Sequence, residues 1–128
     1  MKKKGSVCDF SQERNDALKE VYYKLLREMR SCSVAEIHRA MAKHPAPRFY
    51  VSEMRALTVV RHRQRTGEFP VMLGSRIRMF EEIWRRYELR RALDKESSDL
   101  DIVFDIVNSE APGFFLTPGS IRTILSRA

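Results

Sequence analysis

The chain lacks most of what would mark an enzyme or a membrane protein. No run approaches the ~18 apolar residues of a membrane span, so no membrane partner is expected. The five glycines are scattered, and none stands in a G-x-x-x-x-G-K phosphate loop. His38, His44 and His62 do not combine with Cys8 and Cys32 at metal-ligand spacing. The two cysteines, 24 residues apart, are too few for a disulfide framework and read as reduced thiols. The basic start, Met1-Lys2-Lys3-Lys4, leads into no apolar h-region, which argues against a secretory signal and for a cytoplasmic protein. Trp84 lies on an amphipathic stripe and reads as core. No catalytic residue, metal site or cofactor is assigned.

Lysine is absent from residues 48–91, although that block holds eleven basic side chains. All are arginine, against five acids, giving a local charge of +6 within a chain of net +7. Residues 92–128 carry −3. Arginine's planar fork grips phosphate or carboxylate in a bidentate way that lysine does not. An arginine-rich belt therefore suits a polyanion. Part of the belt has a blander reading. Glu81–Arg85 and Glu82–Arg86 are i,i+4 pairs in the favourable order. Arg76, Arg78, Arg90 and Arg91 have no such evident partner.

The 128 residues fit one domain, or two small units fused. Apolar residues at helical spacing (Leu18, Val21, Tyr22, Leu25, Leu26, Met29) predict a long helix over 12–30. Ser33-x-x-Glu36 reads as a capping box opening a second helix. Pro45 and Pro47 stop it, and Ser52 caps a third helix running to about residue 65. The order then recurs. Ile77, Phe80, Ile83, Trp84 and Tyr87 mark another long helix. Ser98-x-x-Asp101 opens a short one, and Thr117-Pro118 opens the last.

Residues 33–60 slide onto 98–125 at an offset of 65 without a gap. Six of the 28 positions are identical and seven more are close swaps. Composition alone would give roughly two identities. The expected fold is therefore all-α: two tandem, internally duplicated three-helix units packed as one domain. The expected limits are a basic flexible tail (1–10), a first unit (11–65), a docked connector (66–75) and a second unit (76–128). Phe69, Val71 and Leu73 are expected to be mostly buried in the connector. Phe49-Tyr50-Val51 and Phe114-Phe115-Leu116 either plug the core with their aromatics or pair as a very short two-stranded ribbon.

In element order these units resemble trihelical helix-turn-helix domains. About eight residues, 44–51, separate the last two helices, where that motif uses three or four. The resemblance implies a third helix that meets the major groove. On that helix Arg55, Thr58, His62 and Arg65 share one face, with Arg61 and Arg63 flanking it. With Arg76 and Arg78 they form the candidate nucleic-acid-binding set. Leu57 and Val60 lie opposite, as do Ile121, Ile124 and Leu125 in the second copy. The expected function is a small non-enzymatic protein that binds double-stranded DNA, regulatory or an accessory of a mobile element. The alternative is a helical interaction module that takes an acidic protein or a second copy of itself.

Overall fold

Ser33 shows how the local sequence sets an element. Its hydroxyl accepts from the Glu36 amide at 3.2 Å, and the Glu36 carboxylate accepts from the Ser33 amide at 2.8 Å. Two amides that a helix start would leave without partners are thus satisfied. Ser98 accepts from the Asp101 amide at 3.1 Å in the same way. Asp101, one methylene shorter than glutamate, makes no return bond, so only half of the box forms. Ser52 and Thr117 cap two further helix starts through the amides of Arg55 and Ser120.

The structure, a computed structural model, describes residues 3–72 and 74–127. The described residues form six helices: α1 (Lys3–Glu28), α2 (Val34–Ala42), α3 (Glu53–Thr66), α4 (Gly74–Leu93), α5 (Asp99–Val107) and α6 (Pro118–Arg127). The six pack in one domain, as expected. Residues 3–10 carry helical backbone as the start of α1, so the stretch expected as a tail does not end where the helix begins. The apolar stripes face inward. Leu18, Val21 and Leu25 of α1, Phe80, Ile83 and Tyr87 of α4, and Ile102, Val103, Ile106 and Val107 of α5 are all buried. Trp84 is half-buried against this core and stacks on Tyr87 at 5.4 Å.

The helix-turn-helix expectation fails in the packing. That motif needs its last two helices on one another. Among the described residues α2 and α3 do not touch. Instead α3 crosses to the other half, packing on α5 and α4, while α6 packs on α2 and α1. Each long helix also holds its own short helix, α1 against α2 and α4 against α5. The cause is the long link between the short helix and the next. Pro45 and Pro47 keep it extended, and Ala46 forms an antiparallel bridge to Ala111 through amide–carbonyl bonds of 3.0 and 2.9 Å. The Phe49 amide then donates to the Val107 carbonyl at 3.0 Å. These bonds carry the chain across before α3 starts.

The single bridge stands in place of a ribbon. Phe49 and Phe114 are 1% and 6% exposed, so the loops do plug the core with their aromatics. Phe49 stacks on Phe115 at 5.9 Å, and Tyr50 on Phe114 at 6.0 Å. This is a crosswise pairing of positions that correspond at the 65-residue offset.

The connector is corrected in detail. Gly67 ends α3 at φ +80, a left-handed geometry that an amino acid with a Cβ adopts at a cost. Phe69 and Met72 then lie partly buried against the core, while Val71 is fully exposed. So short a link turns only some side chains inward, and those two take the places. Leu73 lies outside the described residues.

Three helices are tied by one polar chain. Gln64 of α3 donates to the Tyr87 hydroxyl at 2.7 Å, and that hydroxyl donates to Asp99 of α5, also at 2.7 Å. Arg91 of α4 donates to the same carboxylate. The Tyr87 bond first, and Arg91 second, hold the Asp99 carboxyl below its usual range. A depressed carboxyl adds stability above its unfolded pKa, and loses it as pH falls through the lower folded value. Asp99→Asn should therefore lower stability by roughly 1–2 kcal/mol near neutral pH. It should also flatten part of the loss of stability below about pH 4. Urea melts at pH 7 and pH 3 check this, and an equal loss at both values would show that Asp99 does not titrate as described.

Candidate nucleic-acid interface

Arginine fates divide along the chain. Near the end of α4 the side chains are committed to the fold. Glu82 accepts from both Arg85 (2.6 Å) and Arg86 (2.8 Å), so the Glu81–Arg85 pair expected from the sequence is replaced by an i,i+3 pair. Arg86 also reaches the Glu110 carbonyl at 2.8 Å and lies over the Phe49 ring at 5.0 Å. Arg90 bonds Asp94 and Asp105, while Arg91 holds Asp99 and the carbonyls of Asp94 and Ser97. The expectation that Arg90 and Arg91 lack partners is therefore corrected. Those partners lie in the acidic C-terminal block, outside any helical i,i+4 pattern for all but Asp94.

The eight expected site residues separate into three groups. Arg55, Thr58, Arg61 and Arg65 are exposed on α3, and Arg76 and Arg78 are exposed on α4. The guanidinium groups of these five arginines make no salt bridge or side-chain hydrogen bond among the described residues. Arg61 is close enough to Asp99 to help lower that carboxyl's pKa. The Thr58 hydroxyl donates to the Met54 carbonyl at 2.9 Å, one turn back, which spends its donor locally.

His62 and Arg63 leave the expected face. The His62 Nδ1 lies 3.0 Å from the Glu68 carbonyl, and an acceptor there requires that nitrogen to carry the proton. The ring thus helps to close the end of α3. Arg63 is half-buried, its guanidinium 5.0 Å from the Trp84 ring centre and 5.6 Å from that of Phe69. This pair of cation–π contacts docks the connector onto α4. Both side chains are thus engaged within the fold. The buried face is as expected for Leu57 and Val60, with Ala56 and Val59 beside them. In α6 Ile121 is buried, and Ile124 and Leu125 are partly so.

The neighbourhood of Arg55 and Arg76 was not evident from the sequence. Both border a cleft that also receives Arg14 and Phe10 of α1. Phe10 falls in the stretch expected as a tail, and Arg14 on a helix face that carried no expected role. One signal did exist. No acid stands three or four residues from Arg14 in either direction, so no helical ion pair was open to it. Among the described residues no three His, Cys, Asp or Glu side chains cluster as a metal site, and no helix is long and apolar enough to cross a membrane.

No known protein family, curated protein or solved structure matches this chain.

Proposed function

We propose that this protein binds double-stranded DNA, without catalysis, through the exposed arginines of α3 and α4. One observation carries the reading. Arg55, Arg61, Arg65, Arg76 and Arg78 are exposed and form no salt bridge among the described residues, on two helices that pack together. Arg85, Arg86, Arg90 and Arg91, by contrast, are neutralised within the fold. Unpaired arginines on adjoining helices suit phosphates, whose counterions they release. Because α2 and α3 do not pack as a helix-turn-helix, the contact is read as backbone binding by a charged face, with base reading by Arg55 or Arg65 secondary. A role in regulation, or as an accessory of a mobile element, is the setting we favour. Descent of the two halves from one duplicated unit is likewise our reading, supported by the matched caps and the crosswise ring pairs.

The test is fluorescence anisotropy with a random duplex at two salt concentrations. Arg61→Glu with Arg65→Glu should weaken binding about tenfold or more and reduce the log–log salt slope by ~0.9 for each phosphate no longer neutralised. Reversing Arg122 and Arg127 in the acidic half should do much less. Equal effects from the two pairs, or no binding by the unaltered protein at low salt, would end the DNA reading.

A second reading has its own support. Leu89 and Leu93 are 56% and 90% exposed on α4, where they border a groove with Ile106 of α5. Apolar side chains at this density suit an interaction module for a protein partner or a second copy. Light scattering that reports a dimer, abolished in Leu93→Glu, would favour that reading.

A further inference from the structure

The cleft beside the start of α3 lies where the two halves of the chain meet. Its walls come from α1, α3, α4 and both aromatic loops, and it encloses about 490 Å³. That is the size of a small-molecule site, within the ~300–1,000 Å³ usual for such pockets. Two features set it apart from a packing fault.

The first is charge. Arg14, Arg55 and Arg76 all line it, and no carboxylate does among the described residues. Arg14 is half-buried, and burial pushes its pKa down. Its one side-chain partner among the described residues is the neutral amide oxygen of Asn15, at 3.1 and 3.2 Å. A partly desolvated cation facing an apolar cleft without a counter-charge is costly, and an anion placed there removes the cost. The three arginines come from three different helices, so their convergence is a property of the tertiary fold.

The second is the apolar wall. Phe10, Tyr50 and Phe115 contribute rings, with Met79 beside them. Arg48, anchored on the Phe49 and Val51 carbonyls, lies over Phe10 at 4.8 Å and over Tyr50 at 6.0 Å, and so fixes both. Phe115 has φ 57, a left-handed backbone that is strained for a residue with a Cβ. It is held there by its stack on Phe49. Strain of this kind in a loop that walls a cleft is what a binding site retains.

The wall is also unlike itself across the 65-residue offset. Tyr50 corresponds to Phe115 and Val51 to Leu116, so the loops contribute alike. Arg55 corresponds to Ser120, however, so the cationic side chain on α3 has no counterpart at the offset. The cleft thus offers guanidinium groups beside an apolar wall of rings, which fits a ligand with a charged group on an apolar body.

We propose that this cleft binds a small anion carried on a planar aromatic body, the anionic group meeting Arg14, Arg55 and Arg76 and the ring lying against the aromatic loops. A nucleoside monophosphate and an aryl carboxylate share this chemistry. The site does not depend on DNA binding, and its test uses no DNA.

Isothermal titration of the full chain with thymidine 5′-monophosphate and with 1-naphthoate separates the two sources. Thymidine and 1-naphthalenemethanol serve as their neutral counterparts. At least one anion should bind saturably and about tenfold or more tighter than its neutral counterpart, the effect of a charge-assisted hydrogen bond. The anion that binds identifies phosphate or carboxylate as the preferred group. Arg76→Ala, an exposed site outside the core, should weaken it by about the same factor, whereas Arg27→Ala at the far end of α1 should not. Arg14→Ala should abolish it, with a thermal melt confirming that the variant is folded. Met79→Trp, which fills the apolar side, should block binding if Arg14→Ala does not fold. Absence of saturable binding by either anion, equal affinity for the neutral counterparts, or unchanged affinity in Arg76→Ala would overturn the proposal.

Discussion

Neither half of the chain should fold by itself as a monomer. Residues 1–66 and 74–128 made as separate fragments should each show little stable helix, and a one-to-one mixture should recover the far-ultraviolet spectrum of the whole protein. The reason is the exchange of third helices. Fragment 1–66 removes from α3 both α5 and α4, the only helices it packs on among the described residues. Leu57, Val59 and Val60, at most 4% exposed in the protein, would then face water. At ~1.5–3 kcal/mol for each buried side chain of this size, the three together forfeit roughly 5–9 kcal/mol. That is comparable to the whole ~5–15 kcal/mol stability of a domain. The intact chain should accordingly melt in one transition. A fragment that unfolds cooperatively as a monomer, or two separated transitions in the full chain, would show that the halves are independent.

Phe49→Ala should be the most damaging single substitution in the loops, lowering stability by about 3–5 kcal/mol. The ring is 1% exposed, stacks on Phe115 and lies under the Arg86 guanidinium. Its amide bond to Val107 pins the first loop to α5. Removing the ring leaves a cavity and also releases Phe115 from the stack that supports its left-handed backbone. The loss should therefore exceed that of Tyr50→Phe, which keeps the ring and removes only a hydroxyl that makes no hydrogen bond among the described residues. Chemical denaturation of the two variants side by side checks the order. Equal losses would mean that the Phe49 ring does not hold the loops together.

The expected DNA surface divides along the same physical lines. Side chains whose position depends on a helical period lie where the period puts them. Leu57 and Val60 are buried, and Arg55, Arg61 and Arg65 are exposed, because a 3.6-residue repeat decides which side of α3 each side chain takes. His62 and Arg63 depart from it because their partners come from the connector and from α4. A carbonyl at Glu68 and rings at Phe69 and Trp84 leave no mark on the spacing within α3. Arg91, and Arg90 in its second bond, depart for the same reason: Asp99 and Asp105 lie 8 and 15 residues away, whereas Asp94 is an i,i+4 partner of Arg90.

The start of α1, at Lys3 and not near residue 12, was not legible in the sequence, but the six described helices, their inward faces and the starts of α2, α3, α5 and α6 were. Each of these rests on local physics: a serine or threonine hydroxyl satisfying an amide two or three residues on, a proline that bars the helix before it, and apolar side chains at helical period. For the two loops the sequence offered aromatic plugs or a short ribbon, and the burial of Phe49 and Phe114 beside the Ala46–Ala111 bridge is the outcome. Only the tertiary structure decided which helix packs on which. A link of ten residues, 43–52, is long enough either to return α3 to its own half or to carry it over. The choice rests on the Ala46–Ala111 bridge and on the Phe49–Phe115 and Tyr50–Phe114 stacks, all between residues about 65 apart. That same crossing brings Arg14, Arg55 and Arg76 around one cleft. Their convergence needs three helices to be in place at once, and no pattern along a single helix records it.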